Sequence, residues 1–169
     1  FIGGSNNNQV KGNFIGTNAD GSSAIKNIYG IYIAGGASSN VIGGIPEGSR
    51  NLISGNEYGI WIENAGTSWN QIKGNYIGTN AEGNSAIGNT NDGIHIKDGS
   101  SSNIIGGTGS GEGNLIAYNT QVGVKVIGAN TDYNKISGNK IHSNGGLGID
   151  LGGDGANEDI QPPTIATAT

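Results

Sequence analysis

The stretch NQVKGNFIGTNADGSSA at residues 8–24 comes back at residues 70–86 as NQIKGNYIGTNAEGNSA, and this return decides the fold. GIYIAGGASSNVIGG at 30–44 likewise returns as GIHIKDGSSSNIIGG at 93–107, and NLISGN at 51–56 as NLIAYN at 114–119. An offset of roughly 62 to 64 residues is long for one unit of a solenoid, so each long repeat divides into two coils. The coils begin near Asn8, Asn40, Asn70, Asn103 and Asn134, and each reads Asn-x-Ile/Val, then Asn-x-Ile, then Gly-Ile-x-Ile or a close variant. Three short strands per coil follow from that pattern.

Alternation assigns the inward side chains. Val10, Ile42, Ile72, Ile105 and Ile136 line the first strand, and Ile15, Ile53, Ile77, Ile116 and Ile141 line the second. The third takes the pairs Ile31/Ile33, Ile60/Ile62, Ile94/Ile96, Val124/Val126 and Ile149/Leu151, each bracketing one outward residue. β-branched residues dominate, as stacked strands favour. The loops alternate between two edges of this core. TNADGSSAIKNIY and TNAEGNSAIGNTND precede the third strand in the coils from Asn8 and Asn70, whereas GGIPEGSRN and GGTGSGEGN follow the first strand in those from Asn40 and Asn103.

Composition agrees. Of 169 residues 34 are Gly and about one in seven is Asn, with 3 Pro and neither Cys nor Met, which disfavours helices and selects an all-β, turn-dense chain. Gly does not recur at every third position, so the chain is not collagen, and regularly spaced Ile with low charge argues against disorder. The net charge of −5 and eight scattered basic residues leave no stripe for a nucleic acid. No apolar run is long enough to span a membrane. Lack of Cys fits an extracellular bacterial protein as well as a cytosolic one. A chain starting at Phe1 reads as processed or as part of something longer.

Asn falls at the turns in three columns: Asn8, Asn40, Asn70, Asn103 and Asn134; Asn13, Asn51, Asn75, Asn114 and Asn139; Asn18, Asn56, Asn80, Asn119 and Asn144. An amide carries an acceptor and two donors, so identical side chains one strand spacing apart can bond in a ladder. These columns are structural.

The phrases NxIxGNxIGTN, GIxIxxGASSNxIGG, NLISGN and GIDLGGDG resemble those of right-handed parallel β-helix repeat proteins, the broad pectate-lyase-like superfamily, over about Asn8 to Gly155. The resemblance implies an all-β, single-stranded right-handed parallel β-helix of about five coils over residues 1–160. It also implies a repeat segment of a large secreted or surface bacterial protein, extracellular or at the cell surface. That superfamily holds lyases, hydrolases, adhesins and passenger segments, so the fold transfers no chemistry. Residues 161–169, QPPTIATAT, read as a separate strand or a linker.

Two candidate sites stand out. The outward column of the third strand is Tyr32, Trp61, His95, Lys125 and Asp150, and its aromatic members suit a saccharide platform. GGLGIDLGG at 145–153 matches a Ca²⁺-binding nonapeptide, and the following DGANEDIQP keeps part of it, which brings Asp150, Asp154 and Asp159 toward a hard cation. The same GLGIDL also aligns with the Gly-Ile-x-Ile strand of the other coils. No cofactor is required, and Ca²⁺ is the candidate metal. The acids Asp20, Glu82, Glu47 and Glu112 lie in the long loops as repeat equivalents, and Arg50 is the single Arg. The sequence thus favours a structural or adhesive spacer or filament segment, partnered by other copies or flanking coils. The alternative is a β-helix that binds or degrades extracellular polysaccharide.

Overall fold

In a computed structural model, residues 1–46, 48–153 and 156–157 are described. After β1 (Ile2–Gly3) the chain runs in coils of three strands. The first holds β2 (Gln9–Val10), β3 (Phe14–Ile15) and β4 (Tyr29–Ala34), and the second β5 (Val41–Gly43), β6 (Leu52–Ile53) and β7 (Tyr58–Ile62). Next come β8 (Gln71–Lys73), β9 (Tyr76–Ile77) and β10 (Ile94–Ile96), then β11 (Ile104–Gly106), β12 (Leu115–Ala117) and β13 (Val124–Val126). The fifth coil holds β14 (Lys135–Ser137), β15 (Lys140–His142) and β16 (Ile149–Asp150). Corresponding strands pair in parallel into three sheets: sheet A, β1-β4-β7-β10-β13-β16; sheet B, β2-β5-β8-β11-β14; sheet C, β3-β6-β9-β12-β15. The chain is an all-β parallel β-helix.

The register places like on like. Ile31, Ile60, Ile94, Val124 and Ile149 are successive partners in sheet A. Val10, Ile42, Ile72, Ile105 and Ile136 are partners in sheet B, and Ile15, Ile53, Ile77, Ile116 and Ile141 in sheet C. These side chains form one core, sealed in the middle coils and partly open at Val10, Ile15, Ile136, Ile141 and Leu151. Ile149, expected inward, remains 45% exposed in the last coil. Each fully enclosed Ile contributes about 1.5–3 kcal/mol relative to exposure.

Polar ladders run beside this core. In the first, each Asn from Asn8 through Asn103 donates both its backbone N–H and its Nδ2 to the Oδ1 of the next Asn, as in Asn40 to Asn70 at 3.1 and 2.8 Å. The spare Nδ2 hydrogen reaches a carbonyl of the preceding coil, for example Asn70 to Ala37 O at 3.0 Å. This ladder continues to Asn157, whose Oδ1 accepts from Asn134 N at 3.1 Å. The second runs Asn13, Asn51, Asn75, Asn114, Asn139 in the same manner.

The third ladder corrects the sequence expectation. It consists of Asn27, Asn56, Asn89, Asn119 and Asn144; Asn18 and Asn80 stand outside it. Those two fold the long loops instead. Asn18 Oδ1 accepts from the N–H of Ser22 at 2.9 Å and Ser23 at 3.0 Å, and Asn80 Oδ1 from Asn84 at 3.0 Å and Ser85 at 3.1 Å. The loop starts before the coil reaches the ladder corner, so the corner residue is the Asn after the loop. The loops close on short antiparallel bridges, Thr17 to Ala24 and Thr79 to Ala86.

Candidate functional site

The outer face of sheet A gathers five of the ten Phe, Tyr and Trp side chains. Its central column is Tyr32, Trp61, His95, Lys125 and Asp150, in register from strand to strand. Tyr29 and Tyr58 join it. Strict alternation would turn both rings inward with Ile31 and Ile60, yet Tyr29 lies 4.9 Å from Tyr32 and Tyr58 lies 4.6 Å from Trp61, centroid to centroid. Phe1 extends the row, 5.0 Å from Tyr32.

The rings are turned toward one another. Trp61 and His95 stack at 4.3 Å with planes 16° apart, and Tyr29 stacks on Tyr58 at 5.8 Å and 24°. Tyr58 meets Trp61 edge-on, and the Lys97 ammonium sits over the Trp61 ring at 5.5 Å. The indole faces are therefore largely occupied by His95, the two tyrosines and Lys97. What the array offers outward is mainly ring edges and polar groups.

Those groups are fixed by charge-assisted bonds. Glu63, two residues after Trp61 and hence on the same face, accepts from the Tyr32 hydroxyl and from Trp61 Nε1 at 2.8 Å. The bond to Glu63, aided by burial and the carboxylate's charge, pushes the Tyr32 phenol up to about 12. Tyr58 is also raised, first by burial and then by the charge of Asp92.

His95 is buried. Its Nδ1 lies 2.7 Å from Asp92 Oδ2, and Asp92 Oδ1 accepts the Val122 N–H at 3.0 Å. Its Nε2 has no hydrogen-bond partner among the described residues. Glu63, Asp92 and the two extra tyrosines were not singled out from sequence. Glu63 carried a signal, its even spacing from Trp61; the tyrosines carried none, because the strand departs from alternation at Gly30 and Gly59.

The candidate Ca²⁺ site is only partly described. Asp150 Oδ1 accepts the Gly152 N–H at 2.9 Å and its Oδ2 lies 3.9 Å from Lys125 Nζ. Asp154 and Asp159 lie outside the described residues, as does Glu47 among the loop acids. Among the described residues no three His, Asp or Glu side chains converge on a metal-sized point. No helix there is long and apolar enough to cross a membrane. Arg50 lies away from sheet A, its guanidinium 3.9 Å over the Tyr76 ring, beside a cavity of about 340 Å³ that Phe14, Ile45 and Pro46 help to line. No protein family model matches the chain, and no characterised protein or solved structure matches it either.

Proposed function

We propose that this β-helix is a rigid structural segment of an extracellular or surface-displayed bacterial protein, a spacer that holds what lies on either side of it at a fixed separation. One observation carries the reading: three Asn ladders run without a break through the described coils, at the three corners of a continuous aliphatic core. Each coil is thereby tied to the next by strand pairing on three sides and by side-chain amides at every corner. Core and corners repeat the same groups from coil to coil, as a scaffold requires, and the dissimilar side chains on the outer face of sheet A stand on that frame. The resemblance of the repeat phrases to those of pectate-lyase-like repeat proteins supports the extracellular part of the reading. Adhesion or filament growth would be ways of using the same stiffness.

Extending single molecules between handles at the two ends tests the mechanical claim. A spacer holds one length under load and then opens in large cooperative steps. Gradual lengthening at the forces that stretch an unfolded linker would overturn it. Access of antibodies to the segment on intact cells tests its display, and reactivity only after lysis would refute the extracellular assignment.

A further inference from the structure

A second aromatic feature lies on the ridge between sheets A and B, and it differs in kind from the sheet A array. The residue before each Asn of the first ladder adopts left-handed backbone: Asn7 at φ 60°, Ser39 at 57°, Trp69 at 58°, Ser102 at 57° and Tyr133 at 58°. Asn tolerates that conformation through local hydrogen bonding, while bulky aromatic residues do not. Burial does not offset the cost, because Trp69 is 61% and Tyr133 73% exposed. Among the described residues neither ring has another ring or a cation against it, in contrast to Trp61.

We propose that Trp69 and Tyr133 form a binding rail for a neutral, extended polysaccharide lying parallel to the stack of coils. The two positions belong to alternate coils, so their Cα atoms are separated by two strand spacings, about 9–10 Å. That is the scale of two linked pyranose rings in an extended chain. Ser102 occupies the coil between them and leaves room for the intervening sugar. Free indole and phenol faces suit the apolar face of a pyranose, and the phenol hydroxyl can bond its rim.

The mount is stiff. Asn70 donates its N–H and Nδ2 to Asn103 Oδ1 at 3.1 and 2.9 Å, Asn134 N–H bonds Asn157 Oδ1 at 3.1 Å, and Ser38, Ser68 and Ser101 pair in parallel alongside. Rigid presentation lowers the ordering cost of binding. The ridge carries no net positive charge to draw a polyuronate: the Asp98 carboxylate is paired with Lys97 Nζ at 3.1 Å, and Asp132, next to Tyr133, offsets Lys135. The inference stands apart from the spacer reading and does not need it.

Affinity electrophoresis of the purified chain, in gels containing hydroxyethylcellulose, xylan, galactomannan or polygalacturonate, tests the proposal. Retardation by at least one neutral glycan and not by polygalacturonate is expected. Trp69→Asn and Tyr133→Asn should each weaken that retardation about fivefold or more, with Trp69→Phe close to wild type. Both Asn variants should melt no lower than wild type, because Asn accepts the left-handed backbone. The proposal is overturned if no neutral glycan retards the chain, if polygalacturonate alone does, or if the double Asn variant, folded by circular dichroism, is retarded like wild type.

Discussion

An Asn side chain has one acceptor oxygen and two amide hydrogens, and in the middle coils the ladders use them out of water. Asn89 shows the consequence. Its Oδ1 accepts from Asn56 N at 3.0 Å and Nδ2 at 3.2 Å, while its own Nδ2 donates to Ile53 O at 3.2 Å and Asn119 Oδ1 at 2.8 Å. Asn89→Ala would leave buried donors and a carbonyl unpaired, at a cost of about 2–4 kcal/mol. Asn80 occupies the same long repeat but bonds only within its own exposed loop, where water can take over, so Asn80→Ala should cost about 0.5–1.5 kcal/mol. Urea titration of the two variants checks this, and equal destabilisation would remove the distinction between ladder and loop. The distinction is readable in the sequence, depending on the strand from which the column is counted. Counted from the second strand, Asn18 and Asn80 fill the column; counted back from the Gly that opens the third strand, Asn27 and Asn89 do, at the same three- or four-residue spacing as Asn56, Asn119 and Asn144.

At the scale of the element, strands of two to six residues are too short to hold themselves in place, and the neighbouring coil supplies the register. In the first four coils the Gly that opens the third strand lies close against a backbone carbonyl of the next coil. A Cβ built on Gly59 would lie 2.3 Å from Gly93 O and 3.0 Å from Asn89 Nδ2, atoms fixed by pairing and by the ladder. Gly36 has positive φ but nothing within 4 Å of its missing Cβ. Gly59→Ala should therefore cost more than about 3 kcal/mol, through overpacking and lost strand pairing, and Gly36→Ala about 1 kcal/mol from backbone strain alone. Thermal melts of the pair decide it; a milder effect at Gly59 than at Gly36 would show that the coils can spread. The strands and their inward columns were legible because β-branched residues at period two leave little choice. The close approach at Gly59 was not, since nothing in a Gly-rich chain marks which Gly a neighbouring carbonyl excludes. The same holds outside the core: Tyr32, Trp61 and His95 could be placed on one face, with Lys97 two residues on from His95, but whether their ring faces would be free depends also on Tyr29 and Tyr58, which alternation does not locate.

Across the whole molecule every sheet is ordered by coil, so a strand pairs only with the strands directly above and below it. Stability in such a stack is close to a sum of coil terms and nearest-neighbour interfaces. Ile72 tests how far this holds. It is fully enclosed in the middle coil, paired with Ile42 on one side and Ile105 on the other. Ile72→Ala should cost about 2–5 kcal/mol for the lost side chain and the cavity it leaves. In a linear stack that loss is not shared evenly, because weakening the central interfaces favours states in which only the coils to one side of Ile72 remain folded. The urea transition of the variant should then broaden, with a smaller m-value. Hydrogen exchange should split the amides into two groups, those preceding the middle coil and those following it, each opening at its own free energy. A variant that lost stability with an unchanged m-value and a uniform drop in protection would instead unfold as one unit. In that case the Asn ladders would couple coils beyond their nearest neighbours, and the stiffness required of a spacer would belong to the stack as a whole.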